Sequence, residues 1–469
     1  LIVRANLLML NDKYSKFSII LLLLIALSIP GIVQAAGLDR HSNSFNEPQI
    51  QILSETSEYL ELVVRFPANP IFENADGPIF DEKLYSHPSE VGVPDLPVFR
   101  QLIELPYGSK YNLEITNTKS YNATLGENGL PADIQDRAPE VEKSKPIQST
   151  DTGSNTESDP TGTFPVSPAQ LDSPFVIRGH KVAQLQLWPV VYNIDQKSVE
   201  IYEEISFKIN IQQADTNLTT QRTTSYSSSA FDELLSSQIL NYSETTSIES
   251  NQILGNEPIL IIAPDAFITT LNALVTLKQN QGHPVNLVPL STTGSTPESI
   301  KSYINNAYHN WSSPPTYVIL VGDVNNGANT MPAFTGLSSE TVTDLYYGTV
   351  DGDDWIPDVF IGRLPARNTT QLNIIINNLI AYNNLTGTEN WVKKAALLAS
   401  NDSNYWEVAE ATQNYVIQNH TQPSGYTGTF PSSPQAGGDK LYAHTYSTGN
   451  AEVISAINNR RALISYSGH

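Results

Sequence analysis

The chain has 469 residues, 40% of them hydrophobic, with 26 basic and 48 acidic side chains and a formal net charge of -22. Such acidity leaves no basic field to steer nucleic acid or an anionic membrane surface, so neither is expected as a partner. The absence of cysteine excludes disulfides, zinc–thiolate sites and a cysteine nucleophile from these residues, and at about 150 residues per domain the length predicts two or three domains.

The first residue is Leu1, not Met. Lys13 and Lys16 precede an apolar run, Phe17 to Ile29, that is too short for a span of about 20 residues. Pro30 and Gly31 break it, and Val33-Gln34-Ala35 offers a small-residue cleavage site. This pattern predicts a secretory signal peptide, cut after Ala35, with residues 1–12 upstream of the true start. The alternative is an uncleaved anchor. Export to the cell surface or medium is expected, with no membrane span once the signal is removed.

Residues 36–211 read as β-rich. "YLELVVRF" (Tyr59 to Phe66) alternates, "RQLIELPYGSKYNLEI" is strand, turn, strand, and "QLQLWPVVYNIDQKSVEIYEEISFKINI" supplies two strands around Asp195 to Ser198. Period-two patterning with regular turns predicts an all-β, sandwich-like domain. Within it, residues 136–173 are rich in Ser, Thr, Pro, Asp and Glu and are expected to form a disordered loop. Residues 212–257 read as a polar linker with one short helix near Phe231 to Leu240.

From 258 to 469 the rhythm changes. "PILIIAP" is a continuous apolar strand, Phe267 to Gln279 is helical and Gly282 closes that helix. "HPVNLVPL" is a strand, and Pro297 to His309 is a helix with Thr296 as N-cap. "TYVILVGD" is a third strand, and "DLYYGTVDGDDWIPDVFIGRLP" reads as two-stranded. Helix 371–382, strand "KKAALLAS", helix 406–417 and strand "RALISYSGH" follow. Continuous apolar strands alternating with helices predict a mainly parallel α/β sheet.

In such sheets ligands sit beyond the C-terminal strand ends. Asp323, Asp402 and His469 each follow a strand. A carboxylate and an imidazole on neighbouring strand ends can serve as orienting acid and general base. Asp402 equally suits an N-cap for the helix that follows it. Asp351, Asp353 and Asp354 in "DGDDW" have the carboxylate density of a structural calcium loop, yet Asp and Gly also make ordinary turns, and the remaining ligands are not visible. No cofactor is required by any motif. H-E-x-x-H, G-x-S-x-G and P-loop patterns are absent, and the other histidines, His444 among them, have no partner spacing.

The run "TYVILVGDVNN…MPAF…TDLYYGTVDGDDWIPDVFIGRLPAR…AALLASND…ALISYSGH" resembles the catalytic domain of the gingipain family of secreted cysteine peptidases, over Pro258 to His469. Upstream, "GVPDLPVFRQLIELPYGS" and "LWPVVYNIDQKSVEIYEEISFKI" resemble that family's prodomain. The resemblance implies a caspase-like α/β catalytic domain after a propeptide, and protein or peptide substrates. It places the catalytic base, found in a motif like N-Y-T-G-H-G, on His469 within Ser465 to His469, with two conservative departures. It places the orienting acid on Asp402, where the family shows Glu. The family's cysteine nucleophile follows on the next strand, so the chain reads as an incomplete gene product that stops between base and nucleophile. Other readings are a sorting transpeptidase of the same family and a catalytically inactive binding protein on the same fold. A cysteine on the next strand separates the last of these from the others.

Overall fold

The structure, a computed structural model, describes residues 46–73, 79–138, 162–242, 256–325, 327–336 and 341–468. The segment 1–35, expected to be a signal peptide, and His469 lie outside the described residues.

Alternation builds the N-terminal sheets. The strands are β1 (Gln49–Glu55), β2 (Tyr59–Arg65), β3 (Phe99–Glu104), β4 (Lys110–Thr124) and β5 (Thr163–Phe164). They continue with β6 (Ala169–Leu171), β7 (Phe175–Ile177), β8 (His180–Leu187), β9 (Val190–Asn193) and β10 (Ser198–Gln212). One sheet runs β1-β2-β10-β9-β5, with β4 also paired to β10; the other runs β3-β8-β6, with β7 on β8. All these pairings are antiparallel. Leu60, Leu62 and Val64 alternate along β2 and are buried, in one core with Ile103 of β3, Leu185 and Leu187 of β8 and Phe207 of β10. Both sheets therefore share a hydrophobic interior.

Two expectations change here. Of residues 136–173, only 139–161 lie outside the described residues. The rest is ordered because it carries apolar side chains with somewhere to go: β5 pairs with β9 and Phe164 packs edge-on to Trp188 at 5.3 Å, while β6 pairs with β8. The polar segment 212–257 holds two helices, α1 (Thr216–Ser225) and α2 (Ser229–Ser236). The second follows the expected short helix and buries Phe231 and Leu235 one turn apart. The first was hidden by its Ser/Thr composition. Asp215 caps it by accepting from the Leu218 N–H, and Thr219 Oγ1 accepts from the Tyr107 N–H at 2.9 Å.

The next strands are continuous apolar runs. They are β11 (Ile259–Ala263), β12 (Val285–Pro289), β13 (Tyr317–Val321) and β14 (Phe360–Leu364), in a parallel sheet ordered β12-β11-β13-β14. All five residues of β11 are buried, as a central parallel strand requires. Helix α3 (Ile268–Asn280) links β11 to β12, and Gly282, at φ 95°, lets the His283 N–H reach back to the Lys278 carbonyl. Helix α4 (Pro297–Asn310) starts with a capping box between Thr296 and Ser299. The segment expected to be two-stranded yields only β14. Leu345–Tyr347 is a 3-10 turn, and Asp351 to Trp355 is an irregular turn in which Asp351 and Asp354 meet distant partners and Asp353 is exposed.

The chain divides into two compact units, 1–375 and 376–469, with the boundary inside α5 (Thr369–Asn383). The second unit has β15 (Ala395–Ala399), α6 (Trp406–Val416), β16 (Asp439–Tyr442), α7 (Asn450–Asn458) and β17 (Leu463–Ser467), with a parallel sheet ordered β16-β15-β17. The parallel strands are thus shared between a four-stranded and a three-stranded sheet. Strand β16 and helix α7 were not anticipated from sequence; "DKLY" is too short and mixed to show a period.

Candidate active site

In the second unit the C-terminal ends of the three strands come together. β17 runs beside β15 with Ser467 opposite Ala399, and the Ser400 N–H donates to the Ser467 carbonyl at 3.0 Å. Gly468 then passes so close to Ser400 that an added Cβ would lie 2.1 Å from its Oγ, and its φ of 144° also favours glycine. The site reading of His469, next in the chain, falls outside the described residues.

Asp402 sits two residues beyond Ser400. Its Oδ1 accepts from the Asn404 N–H at 3.1 Å and its carbonyl accepts from the N–H groups of Tyr405 and Trp406. The side chain therefore organises the turn into α6, the capping-type role open from sequence, while remaining at the strand end.

His444, just past β16, was passed over in the sequence. Its ring stacks on Trp406 with centroids 3.6 Å apart, and Nδ1 is 2.9 Å from Asn401 Oδ1. The backbone N–H of Thr445 donates to the buried Glu410 of α6, which ties this loop to the helix. The available signal was its position two residues after a strand end, but that strand was itself not legible.

Asp323, at the end of β13 in the first unit, pairs with Arg367 Nε at 2.6 Å and accepts from the Val324 N–H. The Arg367 bond holds its carboxyl below the usual carboxylate range.

The "DGDD" carboxylates take separate paths. Asp351 is buried and ion-paired with Arg222. Asp354 accepts from the N–H groups of Val176 and Ile356, at 2.9 and 2.8 Å. Asp353 is exposed. Asp358, unremarked in the sequence, is fully buried and accepts from the backbone N–H groups of Val350, Asp351 and Arg178. Burial pushes its carboxyl well above the usual range, and the Asp351 charge adds to this. Among the described residues, no group of three or more His, Cys, Asp or Glu is arranged to hold a metal ion. Asp351, Asp354 and Asp358 instead receive donors of the N-terminal segment, from Arg222, Val176 and Arg178.

Comparison with known proteins fits this organisation. The family model for Propeptide_C25 matches residues 85–248 and that for Peptidase family C25 matches 254–469. Lys-gingipain HG66 of Porphyromonas gingivalis is 27% identical over 369 residues, which is 76% of this chain and 21% of the relative. Gingipain R2 of Porphyromonas gingivalis is 24% identical over 314 residues, 65% of this chain and 40% of the relative. A crystal structure of the Arg specific cysteine proteinase gingipain R aligns at 24% identity and a TM-score of 0.37, over 46% of this chain and 48% of that one. The chain spans about a fifth of the length of the Lys-gingipain relatives it matches.

The two matched models define a propeptide segment followed by peptidase-family sequence. More particularly, the chain is gingipain-like and belongs to peptidase family C25, with the propeptide segment followed by catalytic-domain sequence.

Proposed function

We propose that the complete protein is an exported cysteine endopeptidase with a caspase-like catalytic fold, in which His469 is the general base and Asp402 its orienting acid. The nucleophile is a cysteine supplied by sequence other than these 469 residues. The thiol proton passes to the His469 imidazole as the thiolate attacks the scissile carbonyl. The imidazolium then protonates the leaving amine, and water hydrolyses the acyl-enzyme. Asp402 favours the imidazolium by its charge. The reading is supported by one observation above all: Gly468 lies against Ser400, two residues before Asp402, at the C-terminal ends of two adjacent parallel strands. Export rests on the pattern of Lys13, Lys16, Phe17 to Ile29 and Ala35.

The test uses the complete protein with a peptide library. His469→Ala should abolish turnover, by 10²-fold or more on the order typical of a lost acid–base group, with circular dichroism unchanged. Asp402→Asn should be milder, because it leaves the imidazole in place. Near-wild-type turnover of His469→Ala would reject the assignment.

A further inference from the structure

Arg178 is the largest fully buried side chain of the described residues, at 2% exposure, and it belongs to the propeptide segment. It sits at the tip of the β7–β8 hairpin, where Ile177 pairs with His180 and the loop is Arg178-Gly179. Both loop residues have positive φ, 49° and 80°, as a type I′ turn demands. Gly179 is required on a second count: a Cβ there would meet the Arg222 carbonyl at 2.8 Å and the Tyr226 ring at 2.9 Å. An arginine rarely adopts this backbone conformation, so its side chain must repay the strain.

The guanidinium does so with five hydrogen bonds, one for each of its N–H donors. Nε donates to the Tyr226 carbonyl at 2.8 Å. Nη1 donates to the carbonyls of Pro315 and Asp358, at 2.7 and 3.2 Å. Nη2 donates to the Pro314 carbonyl and to Thr316 Oγ1, at 3.4 and 3.1 Å. The plane is flanked by the rings of Phe231 and Tyr308, 5.4 and 5.3 Å from the guanidinium carbon. Four of the five acceptors belong to the peptidase segment. Thr316 immediately precedes β13, and Asp358 lies two residues before β14. The socket is therefore at the N-terminal edge of the parallel sheet, the opposite edge from Asp323.

We propose that this carbonyl-lined socket is a guanidinium-binding anchor through which the peptidase segment recognises the Arg178-Gly179 turn of the propeptide and retains it after the chain between them is cut. A carbonyl ring with two aromatic walls selects a planar, five-donor cation over a compact ammonium. The ligand is delivered by the fold itself, and the surface it fills lies away from the strand C-terminal ends.

The test needs only the present chain, with a site-specific protease sequence inserted between Tyr242 and Glu257. After cutting, the wild type should elute as one species in size-exclusion chromatography. Arg178→Gly suits the positive φ, so it removes the side chain without new backbone strain. Its melting temperature should fall by about 5–10 °C, and the cut chain should separate into two fragments. Millimolar methylguanidinium should restore both properties, and methylammonium should restore neither. If Arg178→Gly yields no folded protein, Arg178→Lys keeps the charge and loses the fork, and it should show the same instability and separation. Separation of the cut wild type, wild-type behaviour of Arg178→Gly or Arg178→Lys, or equal rescue by methylammonium would each overturn the proposal. The readouts are association and stability, so they do not depend on whether the protein cleaves peptides.

Discussion

Arg222 of the propeptide segment is ion-paired with Asp351 of the peptidase segment, and its guanidinium carbon lies 5.2 Å and 5.0 Å from the ring centroids of Tyr107 and Tyr226. Asp351 is only 6% exposed, so the ion pair is largely shielded from water on the carboxylate side. Losing one member of a buried pair strands the other. Asp351→Asn should therefore lower the unfolding free energy by roughly 2–4 kcal/mol. A double-mutant cycle with Arg222→Gln should show a coupling of about 1 kcal/mol or more in urea denaturation. Additive effects of the two substitutions would show that the contact contributes no coupling.

The same packing governs proteolysis. Arg222 looks like a protease site in a polar linker, yet α1 and α2 are folded and bury Tyr226, Phe231 and Leu235. A protease needs several residues in extended form, which helix and burial deny it. Limited trypsin treatment of the native chain should leave the bond after Arg222 intact. Less selective proteases should likewise spare the bonds within Thr216–Ser225 and Ser229–Ser236. Mass spectrometry of the fragments decides this, and rapid native cleavage after Arg222 would contradict the packing.

Calcium gives a third test. Binding at Asp351 and Asp354 would have to displace the Arg222 pair and the Val176 N–H. A ligand raises stability only if it binds the folded state better than the unfolded one. Passing from chelator to millimolar calcium should leave the melting temperature of the chain unchanged. A rise that Asp353→Asn or Asp354→Asn removes would instead establish the calcium loop.

His87 makes stability depend on pH. Its Nδ1 is 2.8 Å from Asp95 and its Nε2 is 2.7 Å from Glu82, so both carboxylates face one ring. The Asp95 bond chiefly raises its pKa above 6.5; burial opposes this, Glu82 supports it and Arg137 opposes it weakly. The ring of Phe80 packs against the imidazole, and Arg100 donates to the His87 carbonyl. A histidine with a raised folded value binds its proton more tightly in the native state. Its stabilisation is full below 6.5 and is lost as pH rises through the folded value. Urea midpoints should therefore decline across that window in the wild type, and His87→Gln should flatten the decline. An identical slope in both would assign it to other groups.

Much of the architecture was legible because its causes are local. Apolar alternation in β2, the continuous run of β11, the Thr296 cap and Gly282 act within a few residues of themselves, so the chain announces them. The polar composition of α1 concealed a helix that exists because Asp215 caps it and the Tyr107 backbone bonds to Thr219. For the site, the strand ends carrying Asp402 and Gly468 were readable from two apolar runs. His444 was not, because its place depends on β16 pairing with β15, between residues more than 40 positions apart. Carboxylate roles were the least legible of all. Asp351, Asp353 and Asp354 are alike in sequence, and only long-range contacts separate them, since Arg222 is 129 residues from Asp351 and Val176 is 178 from Asp354. Whether a carboxylate binds a cation, a guanidinium or a backbone N–H depends on which donor the fold brings within about 3 Å. Local pattern determines where the chain bends and what it buries; tertiary structure alone decides which charge meets which partner.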